Sequence, residues 1–137
     1  MTIEQNKAIV GRFLEATVAS DQDRLNKLLA PDFVAHQPEG PQNRQAFLQH
    51  LSTFRMAFSD SRFTVEEQIA EGDKVVTRAT WQAIHSGEFQ SLPPTGKQIE
   101  VSAFFIGRIQ DGKIVESRSL FDQLSMLQQL GLIPPPE

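Results

Sequence analysis

Asp122, His85, Arg118 and His36 are the side chains whose types and surroundings suit them to move or hold a proton. Asp122 follows Leu120-Phe121 and precedes Gln123-Leu124, where a strand is predicted to end and a helix to begin. That position suits a helix N-cap, since Asp is favoured there and the amides of Ser125 and Met126 need acceptors. It equally suits a carboxylate at the mouth of an apolar cavity, where desolvation raises a pKa toward the range of a general acid or base. The two roles are compatible. His85 opens His85-Ser86-Gly87-Glu88-Phe89 and reads as a satisfied core or rim histidine, or as a donor to a developing enolate or a proton relay. Arg118 shares parity with Asp122, roughly 13 Å away along an extended strand. Facing inward it would hold a ligand's carboxylate or carbonyl; facing outward it is a surface arginine. His36, behind Pro31-Asp32-Phe33-Val34, has the same two readings as His85. His50, beside Gln49 on a predicted helix, is expected on that helix's wet side.

Other chemistries lack their residues. The chain has no Cys, which excludes disulfides and thiolates, and no Tyr, which excludes a phenol as acid, base or oxyanion donor. Its three His show no ligand spacing with carboxylates on one element, so no metal site is expected. There is no Gly-x-Ser-x-Gly turn and no Gly-rich phosphate loop, so neither a serine hydrolase nor a nucleotide cofactor is expected. Thirteen Lys+Arg against seventeen Asp+Glu give 13 − 17 = −4, which argues against a nucleic-acid partner. No apolar run approaches the roughly 18–20 residues of a membrane span, so no membrane partner is expected. The start Met1-Thr2-Ile3-Glu4-Gln5-Asn6 lacks a signal-peptide core, and the expected location is the cytoplasm.

The elements that must position these groups are legible as two halves. A length of 137 residues suits one domain over 1–137, with no repeat or linker. Ala8, Ile9, Phe13, Leu14 and Ala16 recur at helical spacing, with Thr2 and Gln5 as a capping box. Asp21 is the expected N-cap of a second helix ended by Pro31, and Phe47, Leu51, Phe54 and Phe58 stripe a third from about Asn43 to Phe58. Asp32 to His36 leans toward strand, and Pro38-Glu39-Gly40-Pro41 reads as a break. Strands follow from Arg62, over Lys74 to His85, Ile99 to Gln110 and Lys113 to Phe121, before a short helix that stops at Gly131 ahead of Pro134-Pro135-Pro136. Helices first and an antiparallel meander after make an α+β fold, with helices over one face of a curved sheet. By parity, Val75, Thr77, Ala79, Trp81, Ala83 and His85 share the inner face, as do Ile99, Val101, Ala103, Phe105 and Ile109. Phe104 and Ile106 then lie on the outer face, where an apolar pair often marks a sheet-mediated dimer. In the last strand neither parity is clean.

Several segments together resemble SnoaL-like polyketide cyclases over about residues 5 to 132. They include Leu29-Ala30-Pro31-Asp32-Phe33, His85-Ser86-Gly87-Glu88-Phe89, Pro93-Pro94-Thr95-Gly96-Lys97, Arg108-Ile109-Gln110-Asp111-Gly112-Lys113-Ile114 and Phe121-Asp122-Gln123-Leu124. The resemblance implies an NTF2-like cone and a homodimer or higher assembly through the outer sheet face. It also implies intramolecular aldol closure without cofactor, and an acid/base aspartate at Asp122. Two departures stand out: Phe105 occupies the place of an assisting histidine, and Ser117-Arg118 the place of a His-Trp pair.

The expected reaction takes a small apolar carbonyl compound against Trp81, Phe105 and Leu120. Asp122 removes a proton next to a carbonyl, and His85, with Arg118 or His36, holds the enolate. Ketosteroid-isomerase chemistry lacks its phenol here, and the Asp-Arg-Asp group of an epoxide hydrolase cannot be assembled. The rival reading is a non-catalytic protein that holds an apolar ligand, and a third is a domain that mainly offers a dimer interface.

Overall fold

Thr2 caps α1 (Ile3–Ala19): its hydroxyl accepts the Gln5 amide while the Gln5 side chain accepts the Thr2 amide. The computed structural model describes residues 2–134, so Pro135 and Pro136 of the expected proline stop lie outside the described residues. Asp21 caps α2 (Gln22–Leu28), which passes at Leu29 directly into β1 (Leu29–Gln37). Pro31 therefore lies within a strand and does not end the helix. It sits where the β1 ladder slips register between Leu29 and Val34, a place where a missing N–H costs no ladder bond. The break at Pro38-Glu39 is a hairpin turn into a short strand, β2 (Gly40–Asn43), absent from the sequence expectation. Asn43 caps α3 (Arg44–Ala57).

Four longer strands complete the sheet: β3 (Phe58–Glu71), β4 (Lys74–His85), β5 (Gln98–Gln110) and β6 (Lys113–Phe121). Asp122 then caps α4 (Gln123–Gln129). The order across the sheet is β2-β1-β6-β5-β4-β3, antiparallel throughout except for the β1–β6 pair. Helices lie over one face of this curved, open sheet, as the α+β reading requires.

The predicted parity of β4 holds from Val75 to His85, all buried, and on β5 Ile99, Val101, Phe105 and Ile109 are buried too. Strand β6 departs for a specific reason. Arg108 pairs Glu116 whereas Ile109 pairs Ile114, so Val115 is an extra residue in the ladder. A bulge reverses the alternation beyond it. Ile114 is buried before the bulge, and after it Ser117 is buried while Arg118 and Leu120 turn out. A second bulge in β3, where Val65 pairs Ala79 and Glu67 pairs Arg78, leaves Glu66 extra and bends this edge strand.

Two apolar clusters form inside. One packs Val10, Phe13 and Leu14 of α1 with Phe33, Phe47, Phe105 and Ile114. The other gathers Phe58, Trp81, Ile99 and Val101 under Met126 of α4 and Leu130 at its C-cap. Gln129 locks α4 in place, donating to the Glu100 carbonyl and accepting the Glu100 amide.

Candidate active site

Between the two clusters lies a cavity of about 480 Å³. Its walls come from α1 (Phe13, Thr17), α3 (Phe47, His50, Phe54), the start of β3, the inner face of β4 (Thr77, Trp81), the loop residue Phe89, the middle of β5 and the end of β6. Phe54 is the hub: its ring centroid lies 5.4 Å from that of Phe89, 5.8 Å from Phe121 and 6.0 Å from Trp81. Phe105 forms wall beside Phe13, ring centroids 5.1 Å apart, and it can lie flat because Gly107 places no side chain there. A Cβ at Gly107 would come within 3.0 Å of that ring. Two inner-face polar groups are matched: Gln68 donates to the Thr77 hydroxyl and to the Lys7 carbonyl, and the Trp81 indole N–H donates to Ser61. A separate hollow of about 410 Å³ between α2 and α3 is walled by amides such as Gln22, Asn26 and Gln45, with Arg44. It lacks a group suited to proton transfer.

Trp81, Phe105 and Leu120 border the larger cavity, although Leu120 is 64% exposed. The four polar candidates do not. Asp122 is exposed, and its carboxylate accepts the Ser125 amide at 3.0 Å as the N-cap of α4. Its two chain neighbours, Phe121 and Gln123, both line the cavity, which puts Asp122 at the rim. Arg118 points to the outer face because of the bulge at Val115, 61% of its side chain exposed and 3.7 Å from Glu116. His36 is on that same outer face, 3.4 Å from the Glu116 oxygen that Arg118 also approaches, while the other oxygen meets Arg108. The expected inward Arg118 and His36 are thereby corrected to a surface ion-pair cluster. Nearby on that face, the Arg78 guanidinium is held above the ordinary arginine value, chiefly by its hydrogen bond to Glu67.

His85 shares the Trp81 face, yet it is fully buried and walled off from the cavity. Its Nδ1 accepts the Thr95 amide and lies 3.0 Å from the Thr95 hydroxyl, so the ring proton of the neutral form resides on Nε2. The His85 backbone donates to Lys97 and accepts from Gly96, closing the base of the 86–97 loop. At the other end Ser86 and Gly87 both donate to the Ala57 carbonyl, and a Cβ on Gly87 would strike the Met56 carbonyl. Loop and latch together hold buried Phe89 against Phe58, ring centroids 5.3 Å apart. Geometrically, then, His85 positions a wall of the cavity.

The histidine that lines the cavity is His50, expected on the wet side of α3. Its signal was available. Phe47, His50 and Phe54 follow the same three-and-four spacing as the stripe chosen from Phe47, Leu51 and Phe54. Asp60, in a left-handed conformation at φ 51°, with Arg55 and Glu39, adds charge at the mouth.

A cone of α+β architecture, with helices closing a curved six-stranded sheet over an interior cavity, defines a protein of the NTF2-like class. The chain belongs to the SnoaL-like polyketide cyclase family, whose profile matches residues 7–130. That membership places it among cyclase-like enzymes. It is 31% identical over 110 residues to the aklanonic acid methyl ester cyclase DauD of Streptomyces sp. (strain C5), an alignment covering 78% of this chain and 66% of DauD. Among solved structures it resembles IdmH from Streptomyces antibioticus, for which a polyketide cyclase role has been suggested. The two share 34% identity at a TM-score of 0.85, covering 93% of this chain and 99% of that one. AclR from Streptomyces galilaeus, for which a hydroxylase role has been suggested, superposes at a TM-score of 0.91 with 26% identity, covering 99% of this chain and 87% of that one.

Proposed function

We propose that this protein closes or enolises a small apolar carbonyl compound without a cofactor, with Asp122 as acid/base at the rim of the aromatic cavity. The observation that carries this reading is the cavity of about 480 Å³ whose wall ends in Phe121 and Gln123, on either side of Asp122. Asp122 keeps one carboxylate oxygen for the Ser125 amide, and the other is free to meet a ligand's acidic C–H at the mouth. A proton lying between two carbonyls asks little of its base, so holding the substrate's ring body against Trp81 and Phe105 supplies much of the acceleration. Aklanonic acid methyl ester, the compound DauD is named for cyclising, is the first to test.

Asp122→Asn tests the role directly. Asn caps a helix as well as Asp does, so the fold is expected to survive, while turnover falls by about 10²–10⁴-fold. Equal rates for variant and wild type would remove Asp122 from the mechanism. The exposure of Asp122 favours one second reading, a protein that holds an apolar ligand without converting it. Tight binding by the wild type with no turnover of any enolisable ester would establish that alternative. As partner we propose a second copy of this chain, seated on the outer sheet face around Phe104 and Ile106, which are 49% and 39% exposed.

A further inference from the structure

The cavity holds one imidazole, and it belongs to His50. His50 lies on α3 one turn before Phe54, half-buried, its ring centroid 5.1 Å from that of Phe54 and inclined at 60°. Among the described residues no protein group hydrogen-bonds to either of its ring nitrogens. His85 and His36, by contrast, are both engaged elsewhere, with Thr95 and with Glu116. A ring braced on an aromatic neighbour, with its polar edge uncommitted and a cavity in front of it, is a pre-positioned donor for a ligand oxygen.

From this geometry we infer that His50 is the group that hydrogen-bonds the carbonyl oxygen of the bound compound and stabilises its enolate. The inference deepens the carbonyl-ligand reading above and rests on it. In the step itself, the C–H electron pair becomes the new C=C bond, and the carbonyl π pair moves to oxygen. The proton goes to the Asp122 carboxylate, and the N–H of His50 donates to the oxyanion without leaving the ring. Reprotonation at carbon, or attack on a second carbonyl followed by proton return from Asp122, restores the starting state. The ligand class follows from the lining: a flat apolar body against Trp81 and Phe105, with an oxygenated, enolisable end turned to α3.

The test uses the full chain and 1-phenyl-1,3-butanedione as probe, read in two ways. Trp81 is the only tryptophan and lines the cavity, so quenching of its fluorescence reports occupancy. The absorbance of the enolate, followed against pH, reports how far the bound probe's ionisation is displaced. The wild type is expected to bind and to lower the probe's ionisation midpoint by about one to two pH units, the size of a charge-assisted hydrogen bond. His50→Phe is expected to bind the neutral probe about equally well with that displacement lost, and His50→Gln, which retains a neutral donor, to restore part of it. Unchanged displacement in a folded His50→Phe overturns the inference. If His50→Phe does not fold, an unchanged midpoint in His50→Gln and in His50→Leu does the same. No quenching in the wild type overturns the carbonyl-ligand reading itself and His50's role with it, and binding without displacement overturns His50 alone.

Discussion

Ser117 turns inward from β6, pairing across the sheet with Ala35 on one side and Gly107 on the other. Its hydroxyl oxygen is buried and has no hydrogen-bond partner among the described residues. A buried hydroxyl without a partner forfeits its hydration for nothing in return, at a cost of about 1–3 kcal/mol. Ser117→Ala is therefore expected to raise stability by roughly 1 kcal/mol, or a few degrees in Tm, measured by thermal unfolding. A fall in Tm would mean that the hydroxyl is engaged in the native protein after all. Asp122 makes the complementary point. Its residue type and place between strand and helix announced both the cap and the rim position, but a single aspartate before a helix looks the same whichever way its free oxygen faces. His50 escaped notice because a histidine on an amphipathic helix is assigned to water by default, and only the closure of β3 and β4 opposite α3 turns its side into a cavity wall.

At the scale of the element, β6 decides which residues face the interior. The parity of β4 was legible because twelve residues alternate without interruption. That of β6 was not, because one extra residue at Val115 swaps the faces midway, so Ile114 and Ser117 are both buried although they differ in parity. The mixed pattern in Lys113–Phe121 thus has a geometric cause, and of the two orientations open to Arg118 the outward one is taken. Deleting Val115 is expected to restore plain alternation without shifting a pair, because Ile114 stays opposite Ile109 and Glu116 opposite Arg108. Ser117 then stays opposite Gly107 and faces inward, and Arg118 stays opposite Ile106 on the outer face. The deletion variant is predicted to keep a cooperative thermal transition in circular dichroism, as is Val115→Ala, which keeps the count. Loss of the cooperative melt in the deletion would show that the bulge itself, and not the pairing on either side of it, is needed for the sheet. Strand β2 was illegible for another reason: Gly40-Pro41-Gln42-Asn43 has no strand propensity of its own, and it is extended because β1 offers it a partner through a tight turn.

For the whole molecule, the same curvature that opens a cavity on one face leaves the other face in need of cover. Across β4, β5 and β6 the outer positions align Val76 with Ile106, Ile106 with Arg118, and Phe104 with Leu120. Val76, Phe104, Ile106 and Leu120 are all substantially exposed, an apolar stripe flanked by Arg78, Arg118 and the Glu116 network. A second copy, the partner proposed above, would bring the same stripe in antiparallel alignment, so that apolar would meet apolar at the centre with the charged flanks at the rim, as a self-complementary two-fold interface requires. Ile106→Glu isolates this interface. The new carboxylate stands directly across from Arg118, which gives it a partner within the chain and preserves the monomer's fold. Ile106 does not line the cavity, so probe quenching of Trp81 is expected to persist. Light scattering is predicted to give about twice the 15.4 kDa chain mass for the wild type and the single chain mass for Ile106→Glu. A wild type that is monomeric at micromolar concentration would overturn the pairing, and a variant that remains dimeric would move the interface off this face.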